Sequence, residues 1–129
     1  MAAFNDFYGD RLGLDVGEPQ PFSIGVLSDA LGLPEDTRYP LAIATISREF
    51  LIELDEYPAG ATRPRPRLDD SLPPGIAMVG FSVASIDALG LDWRGSPAAL
   101  PEAPYLGGTV AVAVGPAGEW LEFIEAPAE

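Results

Sequence analysis

The sequence predicts an α+β domain, in which helical segments pack against mainly antiparallel strands. Apolar residues recur at helical spacing near the N-terminus, and five later segments alternate their residues as strands do. Two short motifs also occur twice in the same order, which indicates an internal repeat. The 129 residues fit one domain, and 47% hydrophobic residues suffice for a substantial core.

The first helix is predicted over residues 1–14. Its apolar face is formed by Phe4, Phe7, Tyr8 and Leu12, and Gly13 is suited to end it. A strand is expected to begin at residues 14–16. Residues 28–40 contain Gly32, Pro34, Asp36 and Pro40, and this composition predicts a loop or one irregular turn.

A hairpin follows in the first half of the chain. Residues 41–46 and 50–57 both alternate as half-buried strands, and Ser47 and Arg48 allow a tight connection between them. In the second strand, Phe50, Ile52 and Leu54 share one face, so Leu51, Glu53 and Asp55 share the other.

Residues 59–74 are rich in proline and charge and are predicted to link a first module, residues 1–58, to a second, residues 75–129. Arg63, Arg65 and Arg67 alternate with prolines in this linker, and we interpret them as part of a solvated connector.

The second module is predicted to open with a strand over residues 76–83. A helical turn is expected at 86–89 and a short strand around 91–94. Residues 109–114 and 119–125 then alternate as two strands around a turn with the sequence GPAG.

Two motifs relate the halves. The segment Asp10–Asp15 matches Asp87–Asp92, and Leu51–Leu54 matches Trp120–Phe123. Asp10 and Glu53 are 43 residues apart, whereas Asp87 and Glu122 are 35 apart, so the first half carries an insertion of 8 residues, expected within residues 28–37. Glu53 and Glu122 therefore occupy equivalent positions, and both carboxylates are predicted to face away from the helices into one concave, cup-shaped surface.

Composition excludes several kinds of chemistry. The chain has no Cys and no His, which removes disulfides, thiolate nucleophiles and imidazole metal sites. A net charge of −13 disfavours nucleic-acid phosphates and favours a cationic ligand. No apolar run approaches the length of a membrane span and no secretory signal is recognisable, so a cytoplasmic location is expected.

Three segments resemble parts of the vicinal oxygen chelate superfamily, the glyoxalase, bleomycin-resistance and extradiol-dioxygenase proteins. They are FYGDRLGLDV at 7–16, GIAMVGFSVASIDAL at 75–89 and GPAGEWLEFIE at 115–125. The resemblance implies paired βαβββ modules that form a cup-shaped mixed sheet, often in a homodimer. It also implies an opening strand before the first helix, for which this sequence has no segment. That strand is expected from a partner chain or from a region upstream.

The resemblance also implies where a metal would bind, because the family's ligands come from the first and last strands of each module. Glu122 matches a last-strand ligand and Glu53 is its repeat counterpart. The first-strand position of the second module holds Met78, a poor ligand for a hard cation. The complete metal site of the family is therefore not expected.

Three functions remain open. The first is binding of a cationic or aromatic small molecule by a glyoxalase-like protein, with Met78, Ser82, Trp93, Tyr105 and Trp120 as ligand-binding residues. The second is a lyase, isomerase or dioxygenase that depends on divalent Mn, Mg or Fe, with Glu53 and Glu122 as catalytic residues and metal ligands. The third is an assembly domain that acts through a partner chain.

Overall fold

A computed structural model describes residues 1–58, 71–72 and 76–127. The chain forms two compact units, Met1–Pro64 and Arg65–Glu129. The predicted linker, with Arg63, Arg65 and Arg67, lies outside the described residues except for residues 71–72.

The first unit begins with the predicted helix. A short α-helix, α1 (Ala2–Phe4), continues without a break as a π-helical segment, Asn5–Arg11. Tyr8 is the buried anchor of this helix, and its ring packs on those of Phe4 and Phe7, with centroids 6.2 and 5.3 Å away. Gly13 follows the helix with φ of 69°, a left-handed conformation that glycine adopts without steric cost.

The sheet of the first unit is built around one long strand. Its strands are β1 (Asp15–Val16), β2 (Gln20–Ser23), β3 (Arg38–Thr45) and β4 (Leu51–Asp55). Both β1 and β2 pair with one edge of β3, and β4 pairs with the other, all antiparallel. The predicted hairpin of residues 41–57 is thus confirmed. Among the described residues, no strand pairs with the outer edge of β4.

The loop predicted over residues 28–40 is wrong in two places. A helix, α2, spans Gly25–Leu31 and ends at Gly32, whose φ is 64°, and β3 already begins at Arg38. The helix forms because Ser28 is fully buried and its hydroxyl lies 3.0 Å from the Tyr39 hydroxyl, so tertiary packing overrides weak local propensity.

The second unit has one mixed sheet. Its strands are β5 (Met78–Val83), β6 (Ala98–Ala99), β7 (Thr109–Val114) and β8 (Trp120–Glu125), in the order β5-β8-β7-β6. Strand β5 runs parallel to β8, and the other pairs are antiparallel. A single 3₁₀ turn, Asp87–Leu89, connects β5 to the following segment. The α+β class is therefore confirmed. The predicted strand at residues 91–94 is wrong, and the strand in this region is β6.

The buried face of the second sheet forms the core of the unit. Leu121 and Phe123 of β8 are almost inaccessible, and the Phe81 ring stacks on that of Phe123 at 5.5 Å. Ile86, at the start of the 3₁₀ turn, is also buried, and its backbone N–H donates a 2.6 Å hydrogen bond to Glu125 Oε2. The carboxylate therefore satisfies an otherwise unpaired donor at the beginning of the turn.

The two hairpins, β3–β4 and β7–β8, have the same register. Glu53 lies opposite Ile43, and Glu122 lies opposite Val112, each pair at the same distance from a five-residue connection. The connections close with matching backbone bonds, from Ile46 N to Phe50 O at 3.0 Å and from Gly115 N to Glu119 O at 2.8 Å.

A further pair of bonds relates the segments that precede the hairpins. Gly17 N donates to Ile43 O at 2.9 Å, and Arg94 N donates to Val112 O at 2.8 Å. Gly17 and Arg94 each lie two residues after the matched motifs Asp10–Asp15 and Asp87–Asp92. In the part of the chain that the structure describes, no helix has the length and apolarity needed to cross a bilayer.

Candidate functional site

The open face of the second unit's sheet carries most of the predicted site residues. Because side chains alternate along a strand, Trp120, Glu122 and Ile124 lie on the face opposite the buried Leu121 and Phe123. The neighbouring strands complete this face. From β5 come Met78, Gly80 and Ser82, and from β7 come Val110, Val112 and Val114.

Glu122 lies at the centre of this face and is only partly buried. Its Oε1 atom accepts a 2.8 Å hydrogen bond from the Tyr105 hydroxyl. Its Oε2 atom lies over Gly80, where a Cβ atom, if present, would be 3.4 Å away. Glycine therefore leaves space beside the carboxylate, and within the described residues Oε2 has no hydrogen-bond donor.

The carboxylate changes the acidity of its partner. The hydrogen bond that Tyr105 donates to Glu122 raises the pKa of the phenol above its usual 10.0. Desolvation and the negative charge of Glu122 act in the same direction. Tyr105 is thus a neutral hydrogen-bond donor at physiological pH, and it orients one oxygen of the carboxylate.

A compact loop holds Tyr105 in place. Its backbone N–H donates to Glu102 O at 2.9 Å, and Gly108 N donates to Tyr105 O at 2.8 Å. Leu106 adopts φ of 51°, a left-handed conformation that costs a non-glycine residue roughly 1–2 kcal/mol. The close packing of Gly108 against Glu125 O, 2.8 Å from where a Cβ would lie, fixes the loop to the end of β8.

Trp120 lies two residues before Glu122 and is covered on one side by Arg94. The guanidinium carbon is 4.2 Å from the centroid of the indole ring, within the range of a cation–π interaction. A shallow cavity of about 260 Å³ opens here, lined by Arg94, Gly95, Ser96, Val110, Ala111, Val112 and Trp120. Its walls are mainly apolar, with one cation at the rim.

The remaining predicted residues are distributed more widely. Met78 and Ser82 are exposed on β5, opposite Trp120 and Ile124 respectively. Trp93 packs edge-on against Phe123 at 5.7 Å, so it contributes to the buried face and not to the Glu122 face. Glu53 belongs to the first unit, where its exposed carboxylate makes no hydrogen bond with any described residue.

The donor atoms near Glu122 do not form a set suited to a divalent metal. Hard cations take six or more oxygen ligands, whereas the groups shown beside the Glu122 carboxylate are the Tyr105 phenol and Gly80. Within the described ranges, no cluster of three or more acidic side chains is arranged to hold an ion.

Sequence reasoning missed Arg94 as a site residue. The signal for it was present, because Arg94 is the one cationic side chain among residues 76–127. Six carboxylates share that segment: Asp87, Asp92, Glu102, Glu119, Glu122 and Glu125.

No family model matches the chain, and no curated protein is significantly similar to it in sequence.

Proposed function

We propose that this chain is a glyoxalase/bleomycin-resistance-like protein that binds a cationic or aromatic small molecule on the open face of its second sheet. The observation that carries the proposal is the pairing of Tyr105 with Glu122 next to Trp120. One oxygen of the carboxylate is oriented by the phenol, and the other is left over a glycine beside an aromatic ring.

The topology supports the structural part of the proposal. The second unit contains a strand, a helical turn and three further strands, which is the βαβββ order that the sequence resemblance implies. The first unit follows its helix with a hairpin of identical register. We propose that the two units are the repeated modules of one vicinal-oxygen-chelate-like domain.

The chemistry of the face supports the choice of ligand. Glu122 supplies a negative charge and a hydrogen-bond acceptor, and Trp120 supplies an apolar aromatic surface beside it. The net charge of −13 raises the local concentration of cations around the molecule, an effect that salt weakens. A protonated aromatic amine combines both requirements.

The test is a titration with benzylamine, a small aromatic cation, followed by the indole N–H signals in two-dimensional NMR. The Trp120→Phe variant identifies the Trp120 signal. We expect a shift of that signal that saturates with benzylamine concentration. Binding should weaken at high salt, and Glu122→Gln should lose most of its affinity for benzylamine.

The matched control is Glu102→Gln, which removes the same charge from an exposed loop position. Equal loss of affinity in the Glu102 and Glu122 variants would show only general electrostatic attraction and would contradict a site at Glu122. Absence of any shift at Trp120 with the native protein would overturn the proposed function.

A further inference from the structure

The outer edge of strand β4 presents backbone groups that no described residue uses. Glu56 N donates to Pro40 O, so Glu56 faces β3. Because the backbone groups of successive residues point in alternate directions, the N–H and C=O groups of Leu51, Glu53 and Asp55 point away from β3. Among the described residues, none forms a hydrogen bond with these outward groups, which we call the β4 edge. Such an edge can pair with another strand.

The second unit shows the equivalent edge occupied. Strand β8 has the register of β4, and β5 pairs with its outer edge in the parallel direction. Trp120 N, the equivalent of Leu51 N, donates to Ala77 O at 3.1 Å. The same hairpin framework therefore accepts a parallel strand at this edge in the second unit.

The side chains along the β4 edge are apolar at its start and acidic beyond it. Leu51 is 59% exposed, and Glu53 is also exposed. Asp55 Oδ1 is buried and has no hydrogen-bond partner among the described residues. A buried carboxylate oxygen without a donor costs free energy, so a cationic or N–H group that reached Asp55 would stabilise the protein.

Charge favours a basic partner over a second copy of the chain. The net charge of −13 makes two copies repel each other. Two β4 strands placed side by side would also bring their own acidic side chains together, which destabilises a strand pair. A basic segment is attracted by the same charges.

We propose that the β4 edge binds an extended basic segment of another protein, which adds a parallel strand to the first sheet. In the register that β5 has on β8, this segment carries an apolar residue opposite Leu51 and cationic residues opposite Glu53 and Asp55. The residues between them lie opposite Ile52 and Leu54, on the buried side of the sheet, and are apolar. The surface belongs to the first unit and does not depend on the function proposed for the second.

The experiment uses a fluorescein-labelled peptide with the core Val-Val-Lys-Val-Arg-Val, titrated with the native protein and followed by fluorescence anisotropy. Two control peptides keep its charge. One is N-methylated at the valines opposite Ile52 and Leu54, whose N–H groups face the β4 edge in this register. The other is N-methylated at the Lys and the Arg, whose N–H groups face away. We expect the first to bind at least about tenfold more weakly, because two backbone hydrogen bonds are lost, and the second to bind within about twofold of the parent peptide.

Variants of the protein test the same contacts from the other side. Leu51→Pro removes one outward N–H while keeping every acidic group and every bond to β3, and it should weaken binding about tenfold. Glu53→Gln and Asp55→Asn should each weaken it about two- to fivefold. The matched control is Asp29→Asn, which removes an exposed charge from helix α2 and should change the affinity less than about twofold. The pair of methylated peptides decides the question even if Leu51→Pro fails to fold.

The alternative occupants give different results, and each would overturn the proposal. Equal binding of the two methylated peptides would show that net charge alone attracts them. A native dimer in sedimentation that Leu51→Pro dissociates would place a second copy on the edge. Binding that appears only after the three linker arginines are replaced by Gln would place the chain's own linker there. Absence of binding by the parent peptide to all of these proteins would leave the edge without a basic partner.

Discussion

The Tyr105 hydroxyl donates a 2.8 Å hydrogen bond to Glu122 Oε1, although the two residues come from a loop and from the last strand of the second sheet. The bond divides the carboxylate into two unlike oxygens. One is occupied by the phenol, and the other lies over Gly80. A loop residue thus determines which lone pairs of a strand carboxylate are open to a ligand.

The first prediction concerns the acidity of Tyr105. Because the bond to Glu122 and its charge raise the pKa of the phenol, Glu122→Gln should lower that pKa towards 10.0. A pH titration of the ultraviolet absorbance of tyrosinate measures the change in pKa. Tyr105→Phe assigns the titration, and an unchanged curve in Glu122→Gln would contradict the pairing.

The same pKa shift predicts a pH dependence of stability. A phenol whose pKa is raised in the folded state contributes stability that is fully present below the unfolded pKa of 10.0. That contribution is lost as the pH rises through the higher folded pKa. The difference in unfolding free energy between the native protein and Tyr105→Phe should therefore be constant near neutrality and shrink at strongly alkaline pH, as urea denaturation can measure. A difference that grew with pH would have the wrong sign.

Gly108 is predicted to be intolerant of a side chain. A Cβ there would lie 2.8 Å from Glu125 O and 3.0 Å from Tyr105 O. Both are backbone oxygens, and displacing them would cost free energy because they belong to the strand end and the loop. Gly108→Ala should cost about 1–3 kcal/mol in denaturant unfolding. Gly95→Ala is the control, because no atom lies within 4 Å of its added methyl group. Equal stability of the two variants would show that the loop is not packed against β8.

Glu125 is predicted to stabilise the second unit through the 3₁₀ turn. Glu125→Ala leaves the N–H of the buried Ile86 without its 2.6 Å acceptor, which should cost about 1–3 kcal/mol. Thermal or urea unfolding measures the loss. Glu102→Ala removes an exposed carboxylate and should change the stability by no more than about 0.5 kcal/mol. If the two variants unfold alike, the bond to Ile86 contributes nothing.

The Ser28–Tyr39 pair is predicted to be energetically coupled. Both hydroxyls are buried 3.0 Å apart, so Ser28→Ala or Tyr39→Phe alone leaves one of them unpaired, at about 1–3 kcal/mol each. The double variant leaves no orphaned hydroxyl and should cost less than the sum of the single variants. Strict additivity in the double-mutant cycle would mean that the hydroxyls do not interact.

The hairpins could be predicted from the sequence because their information is local. Residues 41–46 and 109–114 alternate, and each is followed by a short connection and a second alternating segment. The repeat motifs equate Glu53 with Glu122, and these two residues occupy the same register position in their hairpins. Helix α2 could not be predicted in this way, because Gly32 and Pro34 dominate its surroundings and the buried contact of Ser28 with Tyr39 comes from tertiary structure.

The site was only partly predictable for a related reason. Strand alternation placed Met78, Trp120 and Glu122 on one face, since that pattern requires only the period of a strand. The contact between Tyr105 and Glu122 spans 17 residues and depends on the left-handed turn at Leu106, which no propensity indicates. The edge-on contact of the Trp93 ring with Phe123 is likewise a tertiary contact that no local pattern indicates.

The matched hydrogen bonds of the two hairpins have a consequence for protein engineering. Leu51 and Gly17 of the first unit occupy the positions that Trp120 and Arg94 occupy in the second. A side chain at Gly17 would make only an ordinary 3.7 Å contact, with Ile43 O, and Leu51 is already 59% exposed. The first hairpin therefore has the same backbone arrangement without the two side chains. Gly17→Arg and Leu51→Trp should introduce an Arg-over-Trp pair there without redesign of the backbone.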